Sequence, residues 1–421
     1  MNPIHYPELD ETLYRTKLEN GLTVAVVPRK GFTKKLAYFV TDFGSIHTDF
    51  VLEGQKYTAP AGVAHFLEHK MFELPDRDVS AEFAALGGNV NAFTSYDMTA
   101  YYFSCTEHFE ENLRLLLEFV STPYFPEESV QRDMGIIDQE IGMNADTPDS
   151  RIFEQLTEIM YETHPIRVPI LGTSESIRRI TPEILHACHR AFYTPGNMIL
   201  CVVGDVAPET VTGIARQVLG DEQRPVGEKC RQWPEKMACT GTVTTQMEVA
   251  MPTFLLGFKC EATGTGDATI RQEIIGDLAC EALFGESSPL YLKLYEEGLI
   301  DGSFGGGYET VDSGALITCG GDSEDAQAVR AAILARAEEL VAQGISEADF
   351  LRLKRSALGR RVRDLDSFDS TCFRLCAYHF SDYEYFRFPG AYAAVSRQDV
   401  LDFIRRVVDA DRCCMCVIDP L

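Results

Sequence analysis

His65-Phe66-Leu67-Glu68-His69 is the stretch on which the reading of this chain turns. On a helix, residues at i, i+3 and i+4 share one face, so His65, Glu68 and His69 converge on one point. Neutral imidazoles are common Zn²⁺ ligands, and catalytic zinc sites use three protein ligands plus a water. The carboxylate left over is then placed to act as general base on that water. The competing reading of the five residues is a buried amphipathic helix whose two histidines pair with backbone groups or carboxylates.

A third ligand has to come from elsewhere. The segment from Pro126 to Ile141 reads as a helix: Pro126 suits the first turn and acidic residues follow it. Val130, Met134, Ile137 and Ile141 recur at helical spacing. Asp133 and Glu140 are seven residues apart and share a face two turns apart. Either can face a metal while the apolar stripe packs inward, and spacing does not choose between them. The plain alternative for each is a solvated helix face.

The rest of the chain sets limits. Its 421 residues exceed one ordinary core, and its hydrophobic content of 45% and charged content of 24% are those of a globular protein. A net charge of −26 argues against phosphate-backbone binding, so no nucleic-acid partner is expected. No run of eighteen apolar residues is present, so no membrane span is expected. Met1-Asn2-Pro3-Ile4-His5-Tyr6 has neither the basic nor the apolar region of a secretory signal. The expected location is cytoplasmic. The 13 cysteines are scattered, with no C-x-x-C, and read as small buried hydrophobes in a reducing compartment. Cys413-Cys414-Met415-Cys416 reads as part of an apolar strand.

A weak internal repeat organises the chain. Thr181-Pro182-Glu183-Ile184-Leu185 opens a helix that leads into Met198-Ile199-Leu200-Cys201-Val202-Val203 and ends at Asp205. Ser396-Arg397-Gln398-Asp399-Val400-Leu401 opens another, which leads into Cys413 to Ile418 and Asp419. Both pair a Ser/Thr cap and a nearby acid with a following β-rich strand. A repeat this long means two similar domains. They are placed at 1–225, the zinc-binding part, and 243–421, which lacks the histidine motif, joined by a polar linker at 226–242. Asn20-Gly21 between alternating strands predicts a type I′ hairpin. Strands are expected at 36–40, 89–94 and 99–105, and helices at about 80–86, 107–121 and 126–145. Hairpins and grouped helices give an α+β class with a largely antiparallel sheet in each domain.

Several motifs in order now carry a resemblance. His65 to His69, Leu86-Gly87-Gly88-Asn89-Val90-Asn91-Ala92-Phe93-Thr94-Ser95, Ile136-Ile137-Asp138-Gln139-Glu140-Ile141, Leu171-Gly172-Thr173 and Tyr193-Thr194-Pro195-Gly196-Asn197 resemble the pitrilysin/insulinase family of zinc peptidases. That family has the H-x-x-E-H order, the reverse of H-E-x-x-H. The resemblance covers most of the first half and is thinner in the second. It implies a processing-peptidase-like fold, one zinc per chain held by His65, His69 and Glu140, and Glu68 as general base. It puts Asp133 where the family carries a supporting Glu, one methylene longer. It also implies that a peptide substrate adds as a strand beside Asn91, Ala92 and Phe93.

One departure stands out. Family assemblies supply an Arg and a Tyr to the substrate from a second-domain segment resembling L-R-x-x-x-G-L-x-Y. Here that segment reads Leu294-Tyr295-Glu296-Glu297-Gly298-Leu299-Ile300-Asp301-Gly302, with neither residue in place. The expectation is a dimer in which a zinc-less paralogue supplies those contacts. The leading expectation for function is a metal-dependent endopeptidase working through an activated water. The alternatives are a non-catalytic scaffold subunit of a peptidase-like complex and, more remotely, a metal-dependent hydrolase of a non-peptide.

Overall fold

The computed structural model describes residues 1–75, 77–261 and 264–421. The chain forms two compact units. The first gathers Met1–Ile141, Pro169–Arg231 and Val362–Arg387; the second gathers Gly142–Val168, Gln232–Arg361 and Phe388–Leu421.

The first unit is built on a seven-stranded sheet. Its order is Pro3–Tyr6, Glu11–Lys17, Thr23–Pro28, Met198–Gly204, Lys35–Thr41, Thr99–Cys105 and Asn89–Thr94. Every pairing is antiparallel except Thr23–Pro28 with Met198–Gly204. The second unit has a five-stranded sheet, ordered Gly241–Met247, Cys413–Pro420, Thr253–Glu261, Gly314–Asp322 and Gly305–Val311. Its one parallel pair is again the one made by the last strand of the repeat, Gly241–Met247 with Cys413–Pro420. The two helix–strand segments read as a repeat therefore fill equivalent places, each helix capped by its hydroxyl residue. Thr181 accepts from Ile184 N, and Ser396 forms a reciprocal capping box with Asp399. The α+β class with two similar, largely antiparallel halves holds.

The central strands are buried on both faces. Val24, Val26, Leu200 and Val202 join the main apolar core with Phe66 and Leu67, while Ala25, Val27, Cys201 and Val203, on the opposite face, are buried too. That second face needs its own cover, and the helix Phe368–Phe380 supplies it, packing on Met198–Gly204 and Lys35–Thr41. Cys372 on this helix points its thiol at Cys201 O, 3.9 Å away. In the second unit the helix Pro148–Met160 does the same for Cys413–Pro420 and Thr253–Glu261. Its Met160 and Leu156 lie so close to Gly257 that a Cβ there would sit 2.4 Å from the sulfur. Compared with a contiguous division at 226–242, each unit thus takes one covering helix from the other half of the chain. Apolar runs show that both faces need cover, but not which distant helix provides it.

Smaller expectations fare variously. The helices come at Val79–Ala85, Phe109–Ser121 and Glu127–Ala145, and the strands at Lys35–Thr41, Asn89–Thr94 and Thr99–Cys105. The Asn20-Gly21 hairpin forms, but not with a type I′ turn, which needs two residues at positive φ. Only Gly21 is left-handed, at φ +93°. Gly21 N donates to Leu18 O and Leu18 N to Leu22 O, so the loop has three residues, with Gly21 as the bulge. Asn20 is occupied otherwise: its Oδ1 accepts from Leu22 N at 3.0 Å and its Nδ2 donates to Gly220 O at 2.6 Å. Of the thirteen cysteines only Cys230 and Cys239 escape full burial, and all are free thiols. Among the described residues no helix is long and apolar enough to cross a membrane.

Candidate metal centre

The motif helix, Val63–Met71, starts where the chain can turn sharply. Gly62 has φ +88°, and a Cβ there would lie 2.4 Å from Leu171 O, so only glycine fits. The helix is an apolar wedge in the core of the first unit, and every residue on it except His69 is buried. Burying the helix brings His65, Glu68 and Lys70 inside with it.

Glu127–Ala145 meets this helix and brings Glu140 to the two histidines. His65 Nε2 lies 3.6 Å from Glu140 Oε1, and His69 Nε2 lies 3.5 Å from Oε2. The imidazoles stand at 63° to each other with centroids 4.6 Å apart. These three form the one group of metal-ligating atoms gathered within 4.8 Å among the described residues. Tetrahedral ligands about 2.1 Å from a zinc stand roughly 3.4 Å from one another, so the spacing and the His₂Glu donor set suit that ion. Burial, and then the neighbouring His69, push the His65 pKa down to about 4, which keeps the ring neutral as a ligand must be. His65 Nδ1 is buried without a partner.

Glu68 lies on the same face of the helix, close enough to feel the Glu140 carboxylate, and stays outside the donor group. Burial raises its pKa to about 7, a bond from Thr94 opposes this, and the Glu140 carboxylate adds to the rise. A cation at the neighbouring donors would pull it back towards ionisation. Thr94 Oγ1 donates to Glu68 Oε2 at 2.6 Å.

Asp133 goes elsewhere. Its carboxylate accepts from Lys70 Nζ at 2.8 Å and from Arg132 Nε at 3.2 Å. Lys70, next to His69, has no exposed surface and also bonds Glu73 and Ser129. The two acids that spacing alone left equivalent thus divide the work: Asp133 grips the motif helix through Lys70, and Glu140, two turns on, meets the histidines.

Asn91, Ala92 and Phe93 lie on Asn89–Thr94, the outermost strand of the sheet, paired among the described residues with Thr99–Cys105 alone. Strand alternation puts Ala92 and Thr94 on the side of the motif helix, and Asn91 and Phe93 on the other. Phe93 packs near Tyr102 and Phe373. Ala92 N is capped by Asn91 Oδ1 at 2.9 Å. Lys70 and Thr94 escaped the sequence reading. A lysine inside an apolar helix and a threonine two residues past Ala92 were the signals available for them.

Comparison with known proteins adds to this geometry. Residues 53–174 match the model of the insulinase family (peptidase family M16), and residues 179–357 match that of the peptidase M16 inactive domain. A Bacillus subtilis (strain 168) protein described as an uncharacterized zinc protease, YmfH, is 36% identical over 430 residues, covering 100% of this chain and 99% of its own. A putative M16-like peptidase from Alicyclobacillus acidocaldarius superposes with a TM-score of 0.93 at 30% identity, over 99% of this chain and 100% of that one. A protease from Helicobacter pylori shares the fold at a TM-score of 0.82 and 20% identity, over 97% and 99% of the two chains. With 36% identity to the Bacillus protein over 430 residues, and both family models matched in order, this chain belongs to the insulinase, or pitrilysin, family of peptidases.

Proposed function

We propose that this chain is a zinc-dependent endopeptidase acting on peptides or small polypeptides. The observation that carries the proposal is that three donors converge, His65, His69 and Glu140, while Glu68, on the same face of the motif helix and within electrostatic reach of Glu140, stays outside the donor group. One zinc held by those three would supply the Lewis acidity that lowers the pKa of a water towards 7. Glu68 takes a proton from the attacking water and returns it to the leaving amine. The free edge of Asn89–Thr94 offers backbone groups to an extended substrate, which is a sequence-tolerant way to bind a polypeptide. The test is Glu68→Gln: it should keep one zinc per chain and bind peptide without turnover, and hydrolysis at the wild-type rate would refute the role.

A second reading, a scaffold subunit without activity, draws on the inactive-domain match over residues 179–357. Metal analysis separates the two, since a scaffold predicts no zinc. We also propose that the active form is a dimer, with a zinc-less paralogue providing the Arg and Tyr that Leu294–Gly302 lacks. Full peptidase activity of the purified chain alone would remove that partner. Thirteen free thiols suit the reducing cytoplasm as its location.

A further inference from the structure

Two hydroxyls behind Glu68, those of Thr94 and Thr99, have protons that can be assigned one by one. An ionised carboxylate only accepts, and each hydroxyl has a single proton to donate. Thr94 therefore spends its proton on Glu68 Oε2, at 2.6 Å. Its other neighbour, Thr99 Oγ1 at 3.5 Å, has its own proton directed to Phe43 O at 2.8 Å. Nearby, the Tyr101 and Tyr193 hydroxyls bond each other, 2.8 Å apart. Thr99, Tyr101 and Tyr193 are all buried, so no water competes for these places. Among the described residues no other side chain bonds Glu68.

From this inventory we infer that Thr94 is a positioning residue for the reaction proposed above, on which this inference rests. Its hydroxyl fixes the carboxylate plane of Glu68 through Oε2 and leaves Oε1 as the oxygen that exchanges the proton with the attacking water. Thr99 does not pass its proton towards Glu68, because it donates to the Phe43 carbonyl. It packs the floor under Thr94 and holds the strand pair Asn89–Thr94 and Thr99–Cys105 in register there.

The experiment compares Thr94→Val, which keeps the shape and loses the hydroxyl, with Thr94→Ser, which keeps the hydroxyl, in the full-length zinc-loaded protein together with any partner its activity requires. Thr94→Val should retain one zinc per chain and a KM within about twofold, while kcat falls about ten- to a hundredfold, and Thr94→Ser should recover most of that loss. Crystal structures provide a readout that does not depend on turnover. The Glu68 carboxylate should lie against Thr94 in the wild type and rotate away in Thr94→Val. A Thr94→Val enzyme with wild-type kcat, a serine variant no better than the valine one, or a wild-type Glu68 turned away from Thr94 would each overturn the inference. Glu68→Gln separates the two levels. If that variant still turns over, the peptidase reading has failed; if it is inactive and Thr94→Val is not impaired, Thr94 alone has been misassigned.

Discussion

Replacing Lys70 with methionine tests whether the candidate metal centre is clamped from behind. Methionine fills nearly the same space and removes the charge. Lys70 has no exposed surface, and its Nζ bonds Asp133 Oδ2 at 2.8 Å as well as Glu73 and Ser129. Removing one partner of a buried ion pair costs about 3–5 kcal/mol. Two features place this case at the low end. Arg132 stays with both acids, at 3.2 Å from Asp133 and 2.8 Å from Glu73. The side chains of Asp133 and Glu73 also keep 13% and 29% of their exposure, so water can take up part of the lost bond. A loss of about 3 kcal/mol is expected, read as a lower urea midpoint with unchanged slope.

Asp133 and Glu140 share the helix Glu127–Ala145, so a loosened clamp should shift Glu140 relative to His65 and His69. Loosening it should weaken zinc binding about ten- to a hundredfold in competition with a chromogenic chelator. The Lys70→Met, Asp133→Asn double variant should fall short of the sum of the two singles by more than about 1 kcal/mol, because the pair acts as a unit. Equal stability and equal zinc affinity in Lys70→Met would refute the reasoning. Lost stability with intact zinc affinity would refute the link to the metal centre while leaving the ion pair standing.

Two further substitutions probe the edge strand and the second unit. Ala92→Pro removes an N–H that bonds the neighbouring Asn91 side chain, on an edge strand where proline is tolerated, so the fold and zinc content should persist while KM rises about tenfold or more; an unchanged KM would place the substrate elsewhere. In the second unit, burial works to raise the Glu235 pKa, but Lys259 and the backbone N–H groups of Glu162, Thr163 and His164 override it and hold it at about 2. A depressed carboxylate stabilises the fold above its ordinary pKa near 4.5 and loses that contribution as pH falls towards 2, so wild-type stability should decline across this window and Glu235→Gln should flatten the decline, at the expense of stability at neutral pH, where it leaves the buried Lys259 without its anion. Parallel pH–stability curves for the two proteins would contradict the assignment.

The parts legible in the sequence are those that obey a local period. The face shared by His65, Glu68 and His69 follows from 3.6 residues per turn, and so do the apolar stripe and the two acids on Glu127–Ala145. The choice between Asp133 and Glu140 was not local. It depends on Lys70, a cation that binary patterning assigns to the surface and that the fold buries among two acids and a serine. The hairpin at Asn20-Gly21 was legible, but its turn type was not, because the Asn20 amide is used by Gly220, two hundred residues away in sequence. The covering helices were hidden for the same reason. Phe368–Phe380 looks from its own sequence like a member of the second half, and only the buried far face of Met198–Gly204 calls for it in the first.

The two halves show how little of the chemistry is fixed by topology. Each sheet has one parallel pair in the same place, and each ends on an outer strand against which a helix packs, Val63–Met71 on Asn89–Thr94 in one unit and Asp267–Phe284 on Gly305–Val311 in the other. The second of these helices has no histidine, and the strand beside it begins Gly305-Gly306-Gly307 where the first unit has Asn89-Val90-Asn91. Strand pairing and apolar burial are satisfied equally well by both sets of residues, so they place no constraint on whether a metal can be held. What differs is three donor side chains, one spare carboxylate and the buried ion pair that aligns their helices. A fold-level likeness therefore vouches for the sheets, and the peptidase reading stands or falls with His65, Glu68, His69, Glu140 and the Lys70–Asp133 clamp behind them.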